Sequence, residues 1–175
     1  CKYLKVLIYE SPNNNYKFFS EIGTLKVGIY GIESISASSN ESEQCTPQNL
    51  LHDDLKQYWS SKESKNSTKE FFLADLGKTF HINRLMLGSA DMAFPEYINI
   101  ETSIDEKIWT PLVEEKDFIS EQYKRYYWDI DISPARYIRI EMKGIKKLAG
   151  GYGIRIGEFD VSAAPFNPFH THNIG

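Results

Sequence analysis

Apolar residues recur at every second position in several short runs of the chain. Ile98, Ile100, Thr102 and Ile104 fall on one face, with Asn99, Glu101 and Ser103 on the other. Ile130 and Ile132 alternate with Asp129 and Asp131, and Ile138, Ile140 and Met142 alternate with Tyr137, Arg139 and Glu141. Side chains of an extended chain point to opposite faces in turn, so each run predicts an antiparallel strand with one buried and one wet face. The last run, Ile154, Ile156, Phe159 and Val161, changes phase at Gly157, and a β-bulge there restores the inward face. Many short strands divided by polar turns predict an all-β antiparallel sandwich or barrel. Residues 47–58 give the only helical signal. Thr46 is placed to cap it, Pro47 sits at its first position, and Leu50, Leu51 and Leu55 make a narrow apolar stripe. One or two turns are expected. The polar residues 60–69 read as a mobile surface loop.

The patterning divides the chain. Residues 32–162 carry the β domain. Residues 1–31 precede it as an extension, in which residues 2–10 and 25–30 read as strands around a loop holding Pro12, Asn13, Asn14 and Asn15. Residues 163–175 carry Pro165 and Pro168 between aromatics and read as an extended arm. His170 and His172 in that arm have a metal-ligand spacing, but two ligands do not close a tetrahedral site. Aromatic residues make up 14% of the 175, which favours pleated surfaces. Twenty Lys and Arg against 24 Asp and Glu leave a net charge of −4, the wrong sign for a general nucleic-acid binder. No apolar run is long enough for a membrane-spanning helix. Two cysteines, Cys1 and Cys45, exclude a disulfide framework while permitting one bridge. Cys1 also has the position of a lipid-bearing first residue, but the residues after it pattern as a strand instead of a polar tether. Sequons occur at Asn40-Glu41-Ser42 and Asn66-Ser67-Thr68. The compartment stays open between an extracellular or virion surface and an intracellular assembly.

Several motifs follow one another in order. They are Ile35-Ser36-Ala37-Ser38-Ser39, then His52-Asp53-Asp54-Leu55-Lys56-Gln57-Tyr58-Trp59, then Phe72-Leu73-Ala74-Asp75-Leu76-Gly77 with Ile82-Asn83-Arg84-Leu85-Met86-Leu87 behind it. Thr102-Ser103-Ile104-Asp105-Glu106-Lys107-Ile108-Trp109, Ala135-Arg136-Tyr137-Ile138-Arg139-Ile140 and Ile156-Gly157-Glu158-Phe159-Asp160-Val161 complete the series. This succession resembles the coagulation factor V/VIII type C, or discoidin, family. It is similar to that family's first strand, Asp-Gly-Asp-x-x-Thr-x-Trp loop, Asp-Leu-Gly strand end, Ser-x-Asp-Gly-x-x-Trp hairpin, Ala-Arg-Tyr-Ile-Arg-Ile strand and closing strand. The resemblance implies a galactose-binding-like jelly roll of two antiparallel sheets, with Trp59 in the core. The residues support these roles independently. Asp75 can accept turn N–H groups, Asp105-Glu106 suits a hairpin turn, and Arg136 and Arg139 suit structural salt bridges.

No catalytic constellation is legible: four histidines are scattered, and no serine lies in a nucleophile elbow. The chain reads as a non-enzyme. The resemblance implies ligand binding at one rim, formed by residues 52–58, 61–69 and 88–96 with 144–153 beside them. His52, Lys56, Asp91, Met92, Phe94 and Tyr152 are the expected ligand-binding residues, with Tyr58 and Asn66 available on the same loops. Met92 and Phe94 lie near a loop tip, where Phe94 either meets a partner or folds back onto the core. That loop lacks the Arg which sugar-binding members often carry. Some carbohydrate-binding members hold a structural Ca²⁺ near the first loop, and the resemblance implies Asp54 and Glu158 as its ligands. His52, Asp53 and Gln57 depart from the family's Asp, Gly and Thr. The expected function is a non-catalytic binding module recognising a glycan or a protein partner through the rim. The alternative is a structural subunit of a larger assembly, such as a virion appendage or ciliary complex, docked by its sheet faces and terminal arms. Asp91 and Glu96 beside the Met92–Phe94 tip have the wrong sign for anionic lipid.

Overall fold

The computed structural model describes residues 32–52, 54–66, 69–91, 93–143 and 151–163. The predicted N-terminal strands, the C-terminal arm with its two histidines, Cys1 and Met92 lie outside the described residues. The described residues form seven antiparallel strands: β1 (Ser34–Ala37), β2 (Trp59–Ser60), β3 (Glu70–Ser89), β4 (Tyr97–Ser103), β5 (Thr110–Glu115), β6 (Arg125–Lys143) and β7 (Arg155–Ala163). They pair in the order β2-β7-β3-β6-β4-β5, with β1 also on β3.

The two long strands make this a sandwich. The first part of β3 pairs with β1 and with the end of β6; its second part pairs with the start of β6 and with β7. Between these parts the β3–β6 ladder breaks at Asp75/Phe80 and again at Ile82/Arg84. There both strands cross from one layer to the other. The corner is fastened by Asp75, whose Oδ1 accepts the Gly77 N–H at 2.7 Å. Gly77 has φ 75°, a conformation that a side chain resists. Arg136 grips the same carboxylate through Nε at 3.0 Å and Nη2 at 3.1 Å.

The core fills the space between the layers. Ile98, Ile100, Thr102, Ile138, Ile140 and Met142 are buried, as their alternation predicts. Phe72 of one layer meets Phe159 of the other edge-on at 5.1 Å, and buried Trp59 meets Phe72 at 6.0 Å. The bulge at Gly157 is present: Gly88 faces Glu158 while Ser89 faces Ile156. Two inward expectations fail, one just past a strand end and one at the corner within a strand. Ile104 is 58% exposed because β4 stops at Ser103. Ile104 enters the hairpin turn, where Asp105 Oδ1 accepts the N–H groups of Lys107 and Ile108 and Glu106 takes φ 63°. Ile132 is 63% exposed because the β6 alternation lapses at the corner. The helical signal resolves to one 3-10 turn, Pro47–Leu51, with Pro47 at its start; Thr46 makes no side-chain cap bond.

Register also sorts the loops. The start of β1 pairs near Asp75 and the end of β7 near Ile82, so both flanking segments leave from the corner end. At the opposite end lie Ala37, Ser60, Ser89, Tyr97, Arg125, Lys143 and Arg155. The connections between β1 and β2, β2 and β3, β3 and β4, β5 and β6, and β6 and β7 therefore gather at one rim.

Candidate functional site

The rim contains a charged cluster built from three segments: the β1–β2 connection, the β3–β4 loop and the start of β7. Arg155 opens β7 as the outward residue between buried Ile154 and Ile156. Its backbone N–H bonds the Ala93 carbonyl at 3.0 Å, which ties the strand to the β3–β4 loop. Its Nη1 donates to Asp91 Oδ2 at 3.0 Å, and Asp91 Oδ1 accepts the Ala93 N–H at 2.7 Å. Asp91 is thereby fixed on both oxygens and holds the guanidinium in place. The Arg155 guanidinium lies 5.3 Å from the centre of the Tyr58 ring. Its Nη2 stands 3.8 Å from Glu41 Oε1, an ion pair too long to be a hydrogen bond. Buried Arg155 Nε has no hydrogen-bond partner among the described residues.

The electrostatics follow from this packing. Burial raises the Tyr58 hydroxyl above its usual value; the Arg155 charge opposes that rise, while Cys45, Glu41 and Asp91 add to it. Burial works against the charge of Arg155, but the bond to Asp91 and the neighbouring Tyr58 and Glu41 outweigh it and hold the guanidinium charged. The result is a permanent cation between two carboxylates, beside an un-ionised tyrosine.

The expected site residues divide. Asp91 is central to the cluster. Tyr152 lies on the rim, where it pairs with Ser64 through backbone bonds of 2.7 and 2.9 Å and packs partly on the core. His52 and Lys56 are exposed on the β1–β2 connection, and the Lys56 N–H bonds Asp54 Oδ1 at 3.0 Å. Phe94 is not an exposed tip. It is 1% exposed, against Phe118 at 5.7 Å and Tyr126 at 5.3 Å. The Asp91 turn directs the chain inward after Ala93, and an aromatic ring gains more from that apolar niche than from water. Glu41 and Arg155 escaped the sequence reading, and Tyr58 figured in it only as an available neighbour. Arg155 comes to this loop from a strand 64 residues away from Asp91. Its one signal was an outward charge at the first position of the closing strand.

Calcium is the ion that the resemblance implied. Such an ion takes roughly six to eight oxygen ligands, several of them charged. Glu158 is buried, but its Oε2 accepts from Arg125 Nε at 2.6 Å. Asp54 caps its own turn, with the Gln57 N–H on its carbonyl at 3.0 Å. Among the described residues, no group of three or more His, Cys, Asp or Glu side chains is placed to hold a metal. Both carboxylates that the resemblance implied as ligands are engaged within the protein, Glu158 by Arg125 and Asp54 by its own turn.

The chain has well-matched structural neighbours. Chitosan-binding module 1 of a chitosanase/glucanase from Paenibacillus sp. IK-5 aligns with a TM-score of 0.64 at 18% identity, over 78% of this chain and 98% of that one. The carbohydrate-binding module CpGH89CBM32-5 from Clostridium perfringens, in complex with GalNAc-beta-1,3-galactose, aligns at 0.62 and 12% identity, over 74% and 94%. The family 89 glycoside hydrolase from Clostridium perfringens aligns at 0.65 and 22% identity, over 80% of this chain but only 15% of its own. These likenesses establish the fold as the β-sandwich of carbohydrate-binding modules. Among curated proteins no relative matches the sequence. The model of the F5/8 type C domain matches residues 34–156, from the first strand to the opening of the last, and the chain belongs to that family.

Proposed function

We propose that the protein is a non-catalytic carbohydrate-binding module whose site is the Glu41–Tyr58–Asp91–Arg155 cluster, with Lys56, His52 and Tyr152 on its surround. The observation that carries this is the 3.8 Å gap between Arg155 Nη2 and Glu41 Oε1. It sets a donor opposite an acceptor, neither satisfied by the other at that distance. A hydroxyl donates and accepts at once, so it fits such a gap, and a sugar ring carries several hydroxyls. The chemistry of the standalone relatives supports the reading, since chitosan and a GalNAc–galactose disaccharide are what they bind or hold.

The test is a glycan array followed by calorimetry on the best ligand, with Arg155→Met and Glu41→Gln beside the wild type. A charge-assisted bond contributes about 1.5–3 kcal/mol, so Arg155→Met should weaken binding by roughly 10–100-fold. Wild-type silence on neutral, amino and acidic glycans would remove the proposal. Unchanged affinity in a folded Arg155→Met variant would move the site elsewhere on the rim.

A further inference from the structure

Behind the rim, on the outer face of the layer that contains β7, a second arrangement needs an explanation. Glu158 is an ionisable side chain with only 4% of its surface exposed. Gly88 of β3 lies between it and Arg125, because Gly88 pairs with Arg125 on one side and with Glu158 on the other. Directly opposed residues of antiparallel strands share a face, so the two side chains start on the same side, about 10 Å apart across the two strand spacings. Gly88 puts nothing between them, and the Arg125 side chain reaches across to place Nε 2.6 Å from Glu158 Oε2.

Leu55 closes this arrangement from above. A Cβ added at Gly88 would fall 2.4 Å from Leu55 Cδ2, and one at Gly157 would fall 2.9 Å from the Leu55 carbonyl oxygen. The turn begun by Asp54 is therefore seated directly on the two glycines beside the ion pair. It belongs to the same β1–β2 connection that carries His52, Lys56 and Tyr58 at the rim.

We propose that Arg125 takes the place of the calcium ion that the fold family implied, making the rim metal-independent. A buried carboxylate needs a compensating cation. A guanidinium anchored at the first position of β6 meets that need covalently, where an ion would have to be bound from solution. The same substitution explains why the Asp54 turn tolerates His52 and Gln57 at its remaining positions. With the charge of Glu158 already matched, those positions no longer have to supply oxygen ligands. Arg125 is on this account a positioning residue: it holds the seat on which the Leu55 turn, and with it Tyr58, is placed.

Thermal unfolding of the full chain in EDTA and in millimolar CaCl₂ tests this, independently of any glycan. The wild type should melt at the same temperature in both. Arg125→Met keeps the apolar stem and removes the charge, and should lower the Tm by roughly 5–10 °C in both solutions. Adding Glu158→Gln to that variant should recover part of the loss, because the unmatched carboxylate is gone. A calcium-dependent rise in the wild-type Tm that disappears in Glu158→Gln overturns the proposal, and so does an Arg125→Met variant that melts with the wild type. Should Arg125→Met fail to fold, Glu158→Gln alone decides. An equal loss of Tm in EDTA and calcium supports the clamp, and a loss confined to calcium overturns it.

Discussion

Phe94→Ala separates a ring that builds the core from one that meets a ligand. The ring is 1% exposed and lies within 6 Å of two other aromatic rings, Phe118 at 5.7 Å and Tyr126 at 5.3 Å. Truncation to alanine returns roughly 150 Å² of apolar burial, which at about 25 cal/mol per Å² is close to 4 kcal/mol. That falls in the range of about 3–5 kcal/mol typical of buried phenylalanines truncated to alanine. Phe118 also meets Tyr126 at 4.8 Å and Trp128 at 6.2 Å, so the neighbouring rings hold one another and can close the hole only in part. For a chain of this size a loss near 4 kcal/mol lowers the Tm by roughly 8–16 °C. Urea unfolding followed by tryptophan fluorescence gives the free energy, and Phe94→Leu should lose about half as much. A Phe94→Ala protein within about 1 kcal/mol of the wild type would refute the reasoning and return Phe94 to the list of ligand contacts.

Other outcomes follow from single contacts. Arg136 bonds Asp75 and holds its carboxyl below the usual range, while burial pulls the other way and the Gly77 N–H assists the arginine. The folded pKa is the lower one, so this stabilisation is whole above the unfolded value near 4 and is lost as pH falls through the folded value. Asp75→Asn should therefore cost about 1 kcal/mol at neutral pH, discounted for the part-exposed arginine, and its deficit should vanish in strong acid on a pH series of melts. Gly88→Ala should cost about 1–3 kcal/mol in urea unfolding, because its Cβ would fall 2.4 Å from Leu55 Cδ2. Its effect should reach the rim as weaker glycan binding; a variant as stable as the wild type would show that Leu55 moves aside freely.

The strands were legible because period-two alternation is a local property of an extended chain, written directly in Ile138, Ile140 and Met142 and in Ile98 and Ile100. So was the bulge at Gly157, since a phase slip in that alternation has only one repair. The Asp75 and Asp105 turns were legible for the same reason: their carboxylates bond N–H groups two or three residues ahead. Alternation could not say where a strand stops facing the core. Ile104 and Ile132 have the right phase and are exposed, because a turn and a corner intervene. The motif series located the rim, but not which of its side chains meet. Asp91 and Arg155 are 64 residues apart, and Arg125 and Glu158 are 33 apart. Such pairs form only when the sandwich closes and brings the mouth of β7 beside the β3–β4 loop and β6 across Gly88. Phe94 makes the same point in reverse. Its neighbours in the sequence gave it a loop, whereas Phe118 and Tyr126, from another connection and another strand, gave it a core. An apolar side chain goes wherever the assembled fold leaves a dry niche of its size, and the size of that niche is set by residues distant in the chain.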